Sequence, residues 1–170
     1  HPSLQPASAA YATYRANDYT VVSANIYELY QQFGGGITNH IGGIRRFARL
    51  FYDQANPKPS GLFLMGKGLK EATIGPEPGT RKNATYFAES LIPSYGQPPS
   101  DVCITAGFGI GSELAPAIPT GRISVRTNDE LDEYLSKVIE HEAQQDQSDV
   151  YNTPSKDWQK QVIHLVGGSN

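Results

Sequence analysis

The sequence is short of several things at once. Its 170 residues include one cysteine, one methionine and one tryptophan. The lone Cys103 excludes an internal disulfide and any metal site built from several thiolates. No apolar run approaches the roughly 20 residues that span a bilayer. The opening residues His1-Pro2-Ser3-Leu4 lack the basic and apolar stretches of a signal peptide, so a soluble chain without a membrane span is expected. Charge is also scarce and nearly balanced, with 14 Lys and Arg against 17 Asp and Glu and a net charge of -3. That leaves no basic field to neutralise phosphates, and nucleic acid is not an expected partner. The histidines His1, His40, His141 and His164 show none of the paired spacings of a metal site.

What is present suits one globular domain. Hydrophobic residues make up 38% and aromatics 10%, and a chain of this size buries about 70% of its unfolded surface. The 17 glycines and 12 prolines gather in the middle of the chain, where they mark long loops.

Leu4, Ala7, Tyr11 and Tyr14 recur every three or four residues and predict a helix over 4–16. Tyr19 to Ser23 is dense in β-branched and aromatic residues and predicts a strand. Ile26, Leu29, Tyr30 and Phe33 form a second helical stripe, stopped by Gly34-Gly35-Gly36. Asn39 is placed to cap a third helix, with Ile44, Phe47, Ala48 and Phe51 on its core face, ending before Asn56-Pro57. Gly61 to Met65 is wholly apolar and reads as a strand covered on both faces, as in a parallel sheet.

From Lys67 to Pro116 turn chemistry dominates, with short strands expected at 90–92 and 102–105. Ile118 to Val125 reads as extended. Thr127-Asn128-Asp129-Glu130 is a capping box, and the helix it opens carries the stripe Leu131, Tyr134, Leu135, Val138 and Ile139. A last strand is expected at 162–166, stopped by Gly167-Gly168.

Alternating helices and apolar strands predict an α/β sandwich with a mostly parallel sheet. Such a sheet places its ligand in the crevice beyond the carboxyl ends of the strands, here the loops after Ser23, Met65, Thr105 and Val166.

Gly66-Lys67-Gly68 follows a strand but lacks the rest of a phosphate-binding fingerprint, and Gly107, Gly109 and Gly111 miss its spacing. Cys103 is flanked by Val102 and Ile104 and reads as a packed hydrophobe rather than a nucleophile. The acidic residues from Asp129 to Asp149 read as a solvated face. No cofactor is called for; calcium is the one cation the chain could hold, without assignable ligands. Asn83-Ala84-Thr85 matches a glycosylation sequon and marks a surface loop.

One long segment carries a resemblance. Pro116-Ala-Ile-Pro-Thr-Gly-Arg-Ile-Ser-Val-Arg-Thr-Asn-Asp-Glu-Leu-Asp-Glu-Tyr-Leu-Ser-Lys-Val-Ile-Glu-His-Glu142 resembles the gingipain-like cysteine peptidases, above all the sortases of the type IX secretion system. The ordered features are Gly121-Arg122 closing a strand, Thr127 to Glu130 opening a helix, and Lys137 then His141-Glu142 near its end. Tyr95 to Asp101, Leu62 to Gly66 and Trp158 to Gly168 are similar to further family segments.

The resemblance implies a three-layer sandwich with a caspase-like sheet, and a Cys nucleophile polarised by a His on loops at its carboxyl end. Family members place both downstream of the glycine pair, so the resemblance assigns no catalytic residue here. Residues 1–170 are then expected to be one α/β domain, the N-terminal subdomain of a larger peptidase, inactive without its catalytic subdomain. The expected location is secreted or at the bacterial cell surface. Its expected partners are that catalytic subdomain, the protein substrates of the parent, and a second copy of itself. Asp101 and Arg122 are the candidate cleft or structural residues. The alternatives are a non-enzymatic surface interaction module and a flavodoxin-like nucleotide binder.

Overall fold

A computed structural model describes residues 1–69, 82–96, 98–109, 114–145 and 161–162. The chain divides into two compact units, residues 1–132 and 133–170. The first carries a short 3-10 turn (Pro2–Leu4), α1 (Gln5–Arg15), α2 (Ile26–Phe33), α3 (Ile41–Gln54), β1 (Leu62–Met65), α4 (Ala84–Glu89), α5 (Val102–Thr105) and β2 (Thr120–Ile123). The last helix, α6 (Asn128–Gln145), opens in the first unit and continues into the second.

β1 and β2 pair in parallel, with Leu62 opposite Thr120 and Leu64 opposite Arg122. Successive side chains of a strand point to opposite faces. On one face of β1 the Phe63 ring stacks on Tyr11 of α1 at 5.1 Å. On the other, Leu64 joins a buried cluster with Ile26, Leu29 and Tyr30 of α2, Ile44 and Ala48 of α3, and Ile104 of α5. The architecture is therefore mixed α/β with a small parallel sheet of two strands, and the parallel pairing expected of an apolar run bounded by glycine is present.

The helices at 4–16, 26–33 and 128 onward form where periodicity places them. The capping box acts as expected: the Thr127 hydroxyl accepts from the Glu130 amide at 3.3 Å. The Glu130 carboxylate reaches back one residue further than usual, to the Arg126 amide at 2.6 Å. Leu131, just beyond the cap, is fully buried. Asn128 ties this helix start to the amino-terminal helix, accepting from the Ala7 amide and donating to the Ser3 carbonyl. Thr127→Ala is expected to lower stability by about 1 kcal/mol, the usual worth of such a cap. A urea denaturation midpoint unchanged from the parent would contradict that role.

Three expectations fail for physical reasons. Residues 19–23 are not a strand. Tyr19 and Val22 are each 56% exposed, and among the described residues no neighbouring strand pairs with this segment. Strand propensity expresses packing on a pleated surface, and here there is no surface to pack on. Residues 90–92 form a turn in which the Leu91 and Ile92 amides both donate to the Lys67 carbonyl. Val102–Thr105 is a helical turn. A run of only four residues carries no period of its own, and the Ser100 hydroxyl accepting from the Val102 amide starts a helix there. The strand expected at 162–166 falls almost wholly outside the described residues.

The cap of α3 also differs. Asn39 lies one residue too early, with a positive φ of 54°, and its amide group donates to the Phe87 carbonyl. His40 holds the N-cap position, and its side chain makes no capping bond. Instead its ring folds over the first turn, where a β carbon on Gly42 would lie 2.6 Å from Cε1 and 2.8 Å from Nδ1. Glycine at 42 leaves the room that the ring occupies.

Candidate functional site at the carboxyl end of the parallel pair

Because β1 and β2 run the same way, the residues after Met65 and after Ile123 emerge side by side. Pairing continues past both strand ends: the Gly66 amide donates to the Ile123 carbonyl at 3.0 Å and the Lys67 amide to the Val125 carbonyl at 2.9 Å. These are amides that a phosphate loop would aim at its ligand, and here they hold the sheet together. Gly66 turns the chain at φ +146°, and a β carbon there would sit 2.8 Å from Ile92 Cγ1.

Beneath this edge lies Arg122, the arginine of the Gly-Arg pair. Nε donates to Asp101 Oδ2 and one terminal nitrogen to Asp101 Oδ1, both at 2.8 Å. That nitrogen also donates to the Pro93 carbonyl at 3.1 Å. The other donates to the carbonyls of Gly66 at 2.8 Å and Ile92 at 2.9 Å. All five guanidinium hydrogens are thus used. The side chains of Arg122 and Asp101 retain 12% and 22% of their exposure. Asp101 does not cap the helical turn that follows it; both its oxygens serve the arginine. The pair therefore joins four stretches of chain: the β1 exit, residues 92–93, the start of α5, and β2.

Above the clamp, a cavity of about 530 Å³ opens to solvent, lined by Lys67, Gly68, Ser124, Val125, Arg126 and Glu130. The Arg126 guanidinium lies 3.6 Å from the Glu89 carboxylate, with both side chains well exposed. The Glu130 carboxylate is committed to the Arg126 amide. The sequence reading noted Lys67 and the capping glutamate separately and did not bring them together. The signal that could have done so is the pairing itself, since 62–65 and 120–123 are the two runs that would lie in parallel, and their exits must be neighbours.

Cys103 sits in α5, partly buried. Burial pushes its thiol above the ordinary value, with Asp101 adding to the rise and Arg45 opposing it. Arg45 donates to the Cys103 and Ala106 carbonyls and lies over the Phe108 ring. Among the described residues no histidine is paired with the thiol: His1 contacts Ser3 and Tyr27, His40 covers Gly42, and His141 contacts Gln145. His164 lies outside the described residues. A raised thiol pKa means less thiolate at neutral pH, hence slower alkylation than a free cysteine. Iodoacetamide labelling of Cys103 is expected to rise only above about pH 9, the ordinary value for the group. Fast labelling at neutral pH would mark an activated nucleophile.

Among the described residues no three His, Cys, Asp or Glu are grouped to hold a metal ion. None of the helices among them is long and apolar enough to cross a membrane.

The fold and site define a mixed α/β protein with a polar cavity at the carboxyl end of a parallel pair, braced by a saturated arginine from a Gly-Arg motif. The chain matches the model of peptidase family C25 across residues 1–170, and it belongs to that family of gingipain-like cysteine peptidases. No curated protein and no solved structure matches it.

Proposed function

We propose that this chain is the N-terminal, non-catalytic subdomain of a gingipain-like cysteine peptidase, of the kind that serves as a sortase in type IX secretion. In this reading its two parallel strands belong to a larger sheet in a three-layer sandwich. The crevice side of the sheet is one wall of the cleft that takes protein substrates, and the parent works outside the cytoplasm at the bacterial cell surface. The observation that carries the reading is the Arg122–Asp101 clamp. It spends every donor on shaping the crevice edge and none on a reacting group. The raised thiol pKa of Cys103, with no histidine beside it among the described residues, agrees, as does the placing of helices against both faces of β1.

The test compares the 170-residue chain with the whole parent protein on the same peptide substrates. The isolated chain is expected to give no hydrolysis, and Cys103→Ser in the parent to leave turnover within about twofold, as for any substitution remote from the reacting atoms. Turnover by the isolated chain, or its loss in the parent on Cys103→Ser, would overturn the reading.

A further inference from the structure

The cavity beside Lys67 has no part in the clamp, and its chemistry points to a ligand of its own. We propose that it is a subsite for a carboxylate carried by a peptide, which would give the parent enzyme a preference for acidic segments. This rests on the reading of the chain as a cleft wall. Among the described residues, the charged ones lining the cavity are Lys67, Arg126 and Glu130. Glu130 is already held by the Arg126 amide at 2.6 Å, so its carboxylate is committed to the helix cap. Among the described residues the ion pair of Arg126 is an exposed one with Glu89 at 3.6 Å, a contact that a better-placed carboxylate would displace at little cost. Lys67 has no ion-pair partner among the described residues.

Lys67 and Arg126 thus come from the exits of two adjacent strands, with Ser124 beside them on the β2 exit. The volume of about 530 Å³ falls within the range of small-ligand sites, and the location is where open parallel sheets bind their ligands. A phosphate cradle is disfavoured because the Gly66 and Lys67 amides are spent on the sheet. What remains is side-chain recognition of one negative charge, and a carboxylate on an extended peptide fits both the charge and the open shape.

The experiment is an amide NMR titration of the 170-residue chain with three probes. They are a blocked glycine peptide with one central glutamate, the same peptide with glutamine, and an acetylated triglycine whose only charge is its free terminal carboxylate. Saturable shifts are expected at Lys67, Ser124 and Arg126 with the glutamate peptide. Binding should be about fivefold weaker with glutamine, the upper size of one exposed charge contact. It should also fade near about 1 M salt, where the screening length falls to about 3 Å. If triglycine binds as well as or better than the glutamate peptide, the carboxylate read is a chain terminus. If glutamate binds better, it is a side chain. Either result keeps the subsite.

Lys67→Gln should weaken binding of the glutamate peptide by about fivefold, the size of the contact it removes, and Lys67→Glu by at least as much, while leaving the rest of the spectrum in place. The proposal fails if the glutamate and glutamine peptides bind alike, or if neither Lys67 variant weakens binding of the glutamate peptide. It also fails if nothing saturates by roughly 20 mM peptide, above the millimolar dissociation constant such a contact gives. None of these readouts needs peptidase activity. If Cys103→Ser silenced the parent, the subdomain reading would fall while the peptide titration still stood on its own result.

Discussion

Arg122→Ala is expected to cost about 2–4 kcal/mol, the largest single loss available at the crevice edge. Removing one partner of a buried, hydrogen-bonded ion pair costs about 3–5 kcal/mol, because the other is left uncompensated. The exposure of 12% and 22% retained by the two side chains lets water recover part of that, which sets the estimate at the lower end. Beyond the Asp101 carboxylate, the substitution strands the carbonyls of Gly66, Ile92 and Pro93. In a chain of this length each kcal/mol moves the thermal midpoint by roughly 2–4 °C, so a fall of about 5–15 °C is expected. Arg122→Lys should recover little, since an ammonium offers three donors without the planar fork that meets both oxygens of Asp101. A thermal midpoint unchanged by Arg122→Ala would mean that the clamp adds nothing to folding.

Ile104→Ala should cost about 3–4 kcal/mol. Ile104 is fully buried, in the cluster where α2, α3 and β1 meet, and its removal leaves a void that these elements cannot all close. Ile104→Val, which removes one methyl, should cost about 1 kcal/mol. The two variants report on the helical turn at Val102–Thr105. There Ile104 points into the cluster while Val102 is 41% exposed, so Val102→Ala should fall within about 0.5 kcal/mol of the parent. Equal losses at 102 and 104 in urea denaturation would contradict that arrangement.

The long periodic elements were legible in the sequence because their signals are local. The stripe of Ile26, Leu29 and Tyr30 carries its own 3.6-residue period, and Thr127 and Glu130 meet across a single turn. The parallel character of Leu62 to Met65 was legible for a related reason, since an unbroken apolar run needs cover on both faces. What failed depends on partners far away in the chain. Tyr19 to Ser23 has the composition of a strand, and nothing in the segment reveals that no neighbour among the described residues pairs with it. Val102 to Thr105 has three apolar residues followed by a threonine and no period, so the local cap at Ser100 helps decide its conformation.

The site divides in the same way. Arg122 and Asp101 were recognisable as polar residues worth testing through the Gly-Arg motif and the Tyr95-to-Asp101 loop. That they hold one another, and that three carbonyls from two other segments complete the grip, follows only from the β1–β2 register. The cavity at Lys67 and Arg126 was illegible for that reason. Its two cations are 59 positions apart (126 − 67) and become neighbours only when two strands lie side by side.

The His40 ring and the bare α carbon of Gly42 occupy one shared space. Positions 40 and 42 therefore behave as a single choice: a ring at 40 demands glycine at 42, and a small residue at 40 releases 42 to carry a side chain. Among sequences that keep this helix start, the two positions should covary. Gly42→Ala should be tolerated worse alone than beside His40→Ala, so a change at one position would open the way to a change at the other.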